Sequence, residues 1–142
     1  MIVVSNNHPF LRFSRRETFR TIQNVLKRES PRALRLSVVF VGSRFIRRIN
    51  RRFLRHDEVT DVIAFPLHDG VGVDGEVYVN LDRAKSQARA YRVSFGEEAR
   101  RLLIHGTLHL VGYSDATARG KARMRKREDY FLTHLSSNKG RS

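Results

Sequence analysis

The 142-residue sequence contains no cysteine. That excludes thiolate metal sites, cysteine nucleophiles and a disulfide scaffold, and it fits a reducing, cytoplasmic setting. No apolar run approaches the roughly 20 residues that a membrane-spanning helix needs. The N-terminus, MIVVSNNHPF, has no basic start followed by an apolar stretch. The protein is therefore expected to be soluble, neither exported nor membrane-inserted. Internal repeats and linker-like segments are missing too, and the length suits one domain over residues 1–142 with a single core.

Negative charge is scarce. Against 28 lysines and arginines stand 14 acidic residues, giving a net charge of +14 and a pI near 11.4. Arginine accounts for 23 of the 28. Guanidinium is a planar fork of donors that matches phosphate and stacks on bases. A basic domain of this size points to a nucleic-acid partner. An arginine-rich proteome would explain arginine in place of lysine, but it accounts less well for the net charge.

The chain alternates strand-like and helix-like segments. Ile2 to Ser5 reads as a short strand. Ser14-Arg-Arg-Glu17 is a capping box, followed at helical spacing by Phe19, Ile22, Val25 and Leu26, so a helix is expected to about Glu29, with Pro31 as its stop. Leu34 to Val41 alternates as a strand. Ser43 is expected to cap one helix, SRFIRRINRRFL, with Phe45, Ile46, Ile49 and Phe53 inward. Thr60 to Pro66 reads as a buried strand, HDGVGVDG as turns, and Glu76 to Asn80 as another strand whose last residue caps the next helix. Ser94-Phe-Gly-Glu97 opens a further helix that Gly112 closes. A last helix is expected from Thr117 to about Leu135, with residues 136–142 as a frayed tail. The order of elements is mixed α and β.

The segment HGTLHLVGYSD, from His105 to Asp115, carries the chemistry. Four residues apart on a helix, His105 and His109 project from one face, the geometry two imidazoles need to share an ion. Gly112 supplies a left-handed turn that brings Tyr113-Ser-Asp115 back over that face, and Asp115 is a competent zinc ligand. Three protein ligands with one open position describe a catalytic site. The spacing alone leaves a second reading open, in which the two histidines are simply half-buried and hydrogen-bonded. Gly106 stands where the H-E-x-x-H metalloprotease motif has its glutamate base, which disfavours a protease.

These residues resemble the YbeY family of metal-dependent endoribonucleases, bacterial rRNA maturation factors whose signature is HGxLHLxGYDH. Other blocks extend the likeness from about residue 10 to 135. VTDVIAFP is similar to the family's PTDVLSFP, GEVYVNLDRA to its GDIVIxxxxA, and INRRFLRHD stands where it has LNxxYRxxD; Met124 and Glu128 fit the usual later spacing. The resemblance implies an α/β (α+β) fold in one domain, a mixed sheet of about four strands with about five helices. It also implies one zinc ion per chain, held by His105, His109 and Asp115. Here Asp115 replaces the third histidine, and Ser114 the aspartate that usually precedes it. An anionic ligand weakens the ion as a Lewis acid and admits another divalent metal such as manganese.

A second departure concerns the family's RNA-facing arginine, which falls on Leu54, with Arg55 next in the chain. Arg55 is a candidate for that catalytic role if the helix ends there. On a regular helix it would point about 100° away and be one more surface arginine. Arg48, Arg51 and Arg52 are candidate RNA contacts. Asp57 and Asp61 are candidates to hold a histidine's tautomer from behind, or else ordinary turn residues. His8, His56, His68 and His134 have no ligand spacing.

The resemblance implies hydrolysis of single-stranded RNA in maturation of the 16S rRNA 3′ end and ribosome quality control. The implied partners are rRNA, the small ribosomal subunit and ribosome-assembly proteins. A rival reading is an RNA- or ribosome-binding assembly factor with a structural or vestigial metal, and a third is a hydrolase of small molecules or peptides. Salt separates the third from the others, since an RNA enzyme loses affinity steeply as salt rises.

Overall fold

The computed structural model describes residues 1–29, 35–55, 57–67 and 72–139, with residues 135–139 described as helical backbone alone. In chain order the elements are β1 (Ile2–Asn6), α1 (Arg15–Glu29), β2 (Arg35–Val41), α2 (Ser43–Ile49), a π-helical turn (Asn50–Leu54), β3 (Val62–Pro66), β4 (Asp74–Asn80), α3 (Leu81–Tyr91), α4 (Phe95–Val111) and α5 (Ala118–Lys139). The four strands form one sheet in the order β1-β2-β4-β3. The β1–β2 and β2–β4 pairs are parallel, and β3–β4 is antiparallel. This is the mixed four-stranded sheet with five helices that the resemblance implied.

Alternation along the strands divides the core. Leu36, Val38 and Phe40 of β2, with Val77 and Val79 of β4, face Ile22 and Leu26 of α1, Ala84 of α3 and Leu102 and Leu103 of α4. On the opposite face Val41 and Ile63 pack with Ile46 and Ile49 of α2, flanked by Val39, Phe65 and Tyr78. The helix α5 lies outermost, placing Met124 and Phe131 on Val25 of α1 and Ile104 and Leu108 of α4. Thus α4 is covered by sheet on one side and helix on the other.

Asn80 ties the elements beside α4 together. Fully buried, it ends β4 and accepts the Asp82 and Arg83 N–H groups at 3.0 and 3.2 Å as the cap of α3. Its amide nitrogen donates to Ser43 Oγ at 3.1 Å and to the Thr60 carbonyl at 3.0 Å. Because Thr60 and Asp61 give their carbonyls to Asn80, β3 begins at Val62 and not at Thr60. Nearby, His8 accepts the Leu11 N–H on Nδ1, so its Nε2 carries the proton donated to Asp82 Oδ1 at 2.8 Å. The other Asp82 oxygen accepts the Ser43 N–H at 2.9 Å.

Four expectations need correction. Ser43 is the first residue of α2 and not its cap; Gly42 holds that position, and the Ser43 hydroxyl is engaged by Asn80. The helix expected through Leu54 changes pitch at Asn50, where the Arg55 N–H reaches the Asn50 carbonyl five residues back. That wider turn rotates Phe53 outward, leaving it 63% exposed where an inward residue was expected. The final helix is described through Lys139, with no proline or glycine between Leu135 and Lys139 to stop it. Leu34, Pro31, His56 and the first half of the HDGVGVDG turn, residues 68–71 including His68, lie outside the described residues.

Helix α4 approaches the sheet closely at Gly106. A Cβ there would stand 2.6 Å from Val77 Cγ1 and 3.0 Å from Val62 Cγ2, whereas one at Gly96 of the same helix would meet open space. Relative to Gly96→Ala, Gly106→Ala is expected to lower unfolding free energy by about 1–3 kcal/mol through overpacking, measured by urea denaturation. A second expectation concerns pH. Partial burial disfavours the Asp82 carboxylate, but the His8 and Ser43 hydrogen bonds outweigh it and hold its pKa below the usual carboxylate value. Asp82→Ala should therefore lose roughly 1 kcal/mol at neutral pH, a figure discounted for the half-exposed carboxylate. A depressed carboxylate stabilises above its unfolded pKa, so melting curves of the two proteins should converge as pH falls below about 4.

Candidate metal centre

Helix α4 begins at Ser94, whose hydroxyl accepts the Glu97 N–H at 3.0 Å, as the capping box predicts. It ends at Gly112, with φ of 122°, whose N–H bonds back to the Leu108 and His109 carbonyls. The Tyr113 N–H also returns to Leu108, and the reversed chain carries Asp115 over the last turn. Tyr113 is held from outside, its hydroxyl donating to Glu29 at the end of α1 and its ring lying under the Arg123 guanidinium. The third member of the cluster thus sits on a short loop anchored at both sides.

The geometry brings His105, His109 and Asp115 together. One carboxylate oxygen lies 3.3 Å from His105 Nε2 and the other 3.3 Å from His109 Nε2. The prospective ligand atoms all fall within 4.8 Å of one another. His105 is mostly buried, while His109 and Asp115 are each about two-fifths exposed, leaving one side open. Two imidazole nitrogens and a carboxylate oxygen form a donor set that suits zinc and also accepts manganese. The residues present fit such an ion.

Behind His105 stands a carboxylate that the sequence reading did not assign. Glu128 of α5, 5% exposed, places Oε2 2.6 Å from His105 Nδ1. A carboxylate only accepts, so Nδ1 holds the proton and the Nε2 lone pair faces the cluster. Arg101, one turn before His105, donates to Glu128 at 3.0 Å and to Asp129 at 2.7 Å. Burial disfavours the His105 imidazolium, but Glu128, Asp115 and Asp61 together raise its pKa above the usual value. Partial burial likewise opposes ionisation of Asp115, yet the two histidines hold its pKa down.

The other candidates take different places. Asp57 turns away and pairs with Arg47 at 2.7 Å and with Arg51 at 3.7 Å. Asp61 lines the cavities on both sides of His105, of about 620 and 340 Å³, and accepts from Gln87 at 3.2 Å. Glu98 borders the larger cavity; burial, reinforced by Asp61 and Glu128 and opposed by Arg101, raises its pKa. The smaller cavity is walled by Asn50 and Leu54 of the π turn. Arg55 follows in the left-handed conformation, exposed, with φ of 57°. Arg48 lies over Phe45 and Arg52 over Phe53. The signal for Glu128 was its spacing from Met124, four residues earlier; only the packing of α5 on α4 gives that spacing a meaning.

Comparisons with known proteins bear on the family and the fold. The sequence profile of the family described as Endoribonuclease YbeY matches residues 4–136. A protein named Endoribonuclease YbeY from Chlorobaculum tepidum is 48% identical over 70% of this chain and 73% of its own length. Another of that name, from Salinibacter ruber, is 37% identical over 91% of this chain and 88% of its own. The solution structure of a Thermotoga maritima protein superposes with a TM-score of 0.68, covering 97% of this chain and 91% of that one at 23% identity, which supports the fold. With the profile matching nearly the whole chain and relatives this similar, the protein belongs to the Endoribonuclease YbeY family.

Proposed function

We propose that this chain is a metal-dependent endoribonuclease that hydrolyses phosphodiester bonds in single-stranded RNA, acting in the cytoplasm. The observation that carries the proposal is the open His105–His109–Asp115 cluster, backed by Glu128, in a chain of this family. His105 and His109 through Nε2, and Asp115 through its carboxylate, would hold one zinc ion or a comparable divalent metal. Such an ion polarises a phosphate oxygen and lowers the pKa of water. Glu128 keeps the Nδ1 proton in place, and Arg101 keeps Glu128 in place. Arg48, Arg51 and Arg52, with Arg55 at the end of the π turn, offset phosphate charge along the strand. The proposed physiological substrate is the 3′ end of 16S rRNA on the small ribosomal subunit, in company with ribosome-assembly proteins during maturation and quality control. No helix among the described residues is long and apolar enough to cross a membrane.

One observation favours a second reading. At the position where the family arginine is expected, Leu54 lines the cavity beside the histidines and brings no charge. Together with Asp115 in place of histidine, this supports a non-catalytic RNA- or ribosome-binding assembly factor.

Cleavage of a labelled single-stranded RNA separates the two. The purified chain is stripped of metal, then given zinc or manganese, beside His109→Ala matched for folding. The nuclease reading expects cleavage restored by metal in the wild type and reduced at least about 100-fold in His109→Ala. Equal RNA binding by both proteins with no cleavage by either would transfer the case to the assembly factor. Glu128→Gln should weaken zinc binding about 10- to 100-fold, read by competition with a chromophoric chelator. Unchanged affinity would remove Glu128 from the centre.

A further inference from the structure

Phe53 is, with Phe10 and Tyr91, one of the exposed aromatic rings of the described surface, and it is the one that the helical pattern places in the interior. The π turn puts it outside. There it forms one wall of an open groove of about 520 Å³, with Phe45 and Ile49 at its other apolar positions and Arg48, Arg51 and Arg52 around them. The ring is not loose. Phe65 holds it edge-on at 6.2 Å, Tyr78 meets Phe65 at 5.9 Å, and Phe45 stacks on Tyr78 at 6.2 Å. Phe53 is thus the exposed end of a series of four rings braced by β3 and β4.

Charge selects the occupant. The Arg52 guanidinium lies 5.6 Å from the Phe53 ring centre and that of Arg48 lies 5.5 Å from the Phe45 centre. Neither arginine pairs with a carboxylate among the described residues. An aliphatic partner face would leave these cations without counter-charge, whereas a polyanion with flat apolar groups satisfies ring and cation together. A single-stranded nucleic acid has that composition, and stacking on an aromatic ring needs no particular base. A duplex does not offer it, since its bases are already stacked and paired. The same turn sends Asn50 and Leu54 into the cavity beside His105, His109 and Asp115, so groove and cavity are lined by neighbouring residues of one π turn.

We propose that Phe53 is a base-stacking platform, taking one unpaired base of a single-stranded RNA whose neighbouring phosphates lie on Arg48, Arg51 and Arg52. The choice of RNA rests on the reading above, and the platform deepens it by supplying a contact that distinguishes a single strand from a duplex. A 63% exposed ring can be replaced without opening the core.

The sequence has no tryptophan, so Phe53→Trp creates a single indole at the platform. Its emission is followed in metal-free protein as RNA of about ten nucleotides is added. A mixed-sequence single strand should quench it saturably, while a strand of the same length made of abasic residues should not. Phe53→Leu should weaken binding of the base-bearing strand about 5- to 100-fold and leave abasic binding unchanged. Phe53→Tyr should restore most of the loss. The platform is overturned if Phe53→Leu binds both strands as the wild type does, or loses both equally. It is also overturned if the indole ignores a strand that the wild type binds, which would leave the ring to a protein partner. Without metal, binding is read apart from cleavage. A chain that binds through Phe53 but never cleaves sinks the nuclease reading alone, and a chain that cleaves with Phe53→Leu unaffected sinks the platform alone.

Discussion

Helix α4 reaches the sheet only because position 106 carries no side chain. Val77 and Val62 are stiff, β-branched residues on neighbouring strands, and a Cβ between them would meet one at 2.6 Å and the other at 3.0 Å. The contact fixes the height of α4 above β3 and β4. His105 lies one residue before it and His109 three after, so both imidazoles are set by the same point. The contact also explains why this helix has no glutamate base between its histidines. The position where H-E-x-x-H proteases keep their carboxylate is here filled by the sheet. Any proton transfer must be served from another element.

Around that fixed helix, the acidic residues are consumed internally. Glu17 takes Arg100, Glu29 takes Arg127, and Glu128 takes Arg101 together with His105. These carboxylates are largely buried, so deleting one partner would strand the other's charge away from water. Exposed pairs such as Arg47–Asp57 contribute far less to stability. With these three carboxylates spent in the interior, Asp57 offsets Arg47 and Arg51 on the outer face of α2 and the π turn, while Arg48 and Arg52 have no carboxylate partner among the described residues.

The periodic elements were legible because local rules decide them. The capping boxes at Ser14 and Ser94, the Asn80 cap and the Gly112 stop all appear where short-range chemistry predicts. The cluster was legible too, since helical spacing and a glycine turn bring His105, His109 and Asp115 onto one side. What escaped the sequence depends on distance along the chain. Glu128 is 23 residues from His105, and its spacing from Met124 does not connect it to that histidine until α5 packs on α4. Ser43 looked like a cap because its competition for Asn80 and Asp82 is invisible before the fold brings them together. Phe53 looked buried because a 3.6-residue repeat was extended through a turn that does not obey it. The same irregular turn removes the premise that Arg55 must point 100° from Leu54.

The strand order also bears on how the molecule is made. The β3–β4 pair is antiparallel and local, with α3 and α4 following directly, so the floor beneath the histidines forms from segments close in sequence. In contrast, β2 has parallel neighbours on both sides, one reached through α1 and the other through α2, the π turn and β3. Longer connections cost more entropy to close. During synthesis, β2 emerges with only β1 to pair against, and its other edge stays open until β4 has followed. That edge belongs to the apolar run RLSVVFV, the kind of unpaired strand that other chains can add to. The interval between making Val41 and Asn80 is therefore when a nascent copy is most exposed to its neighbours.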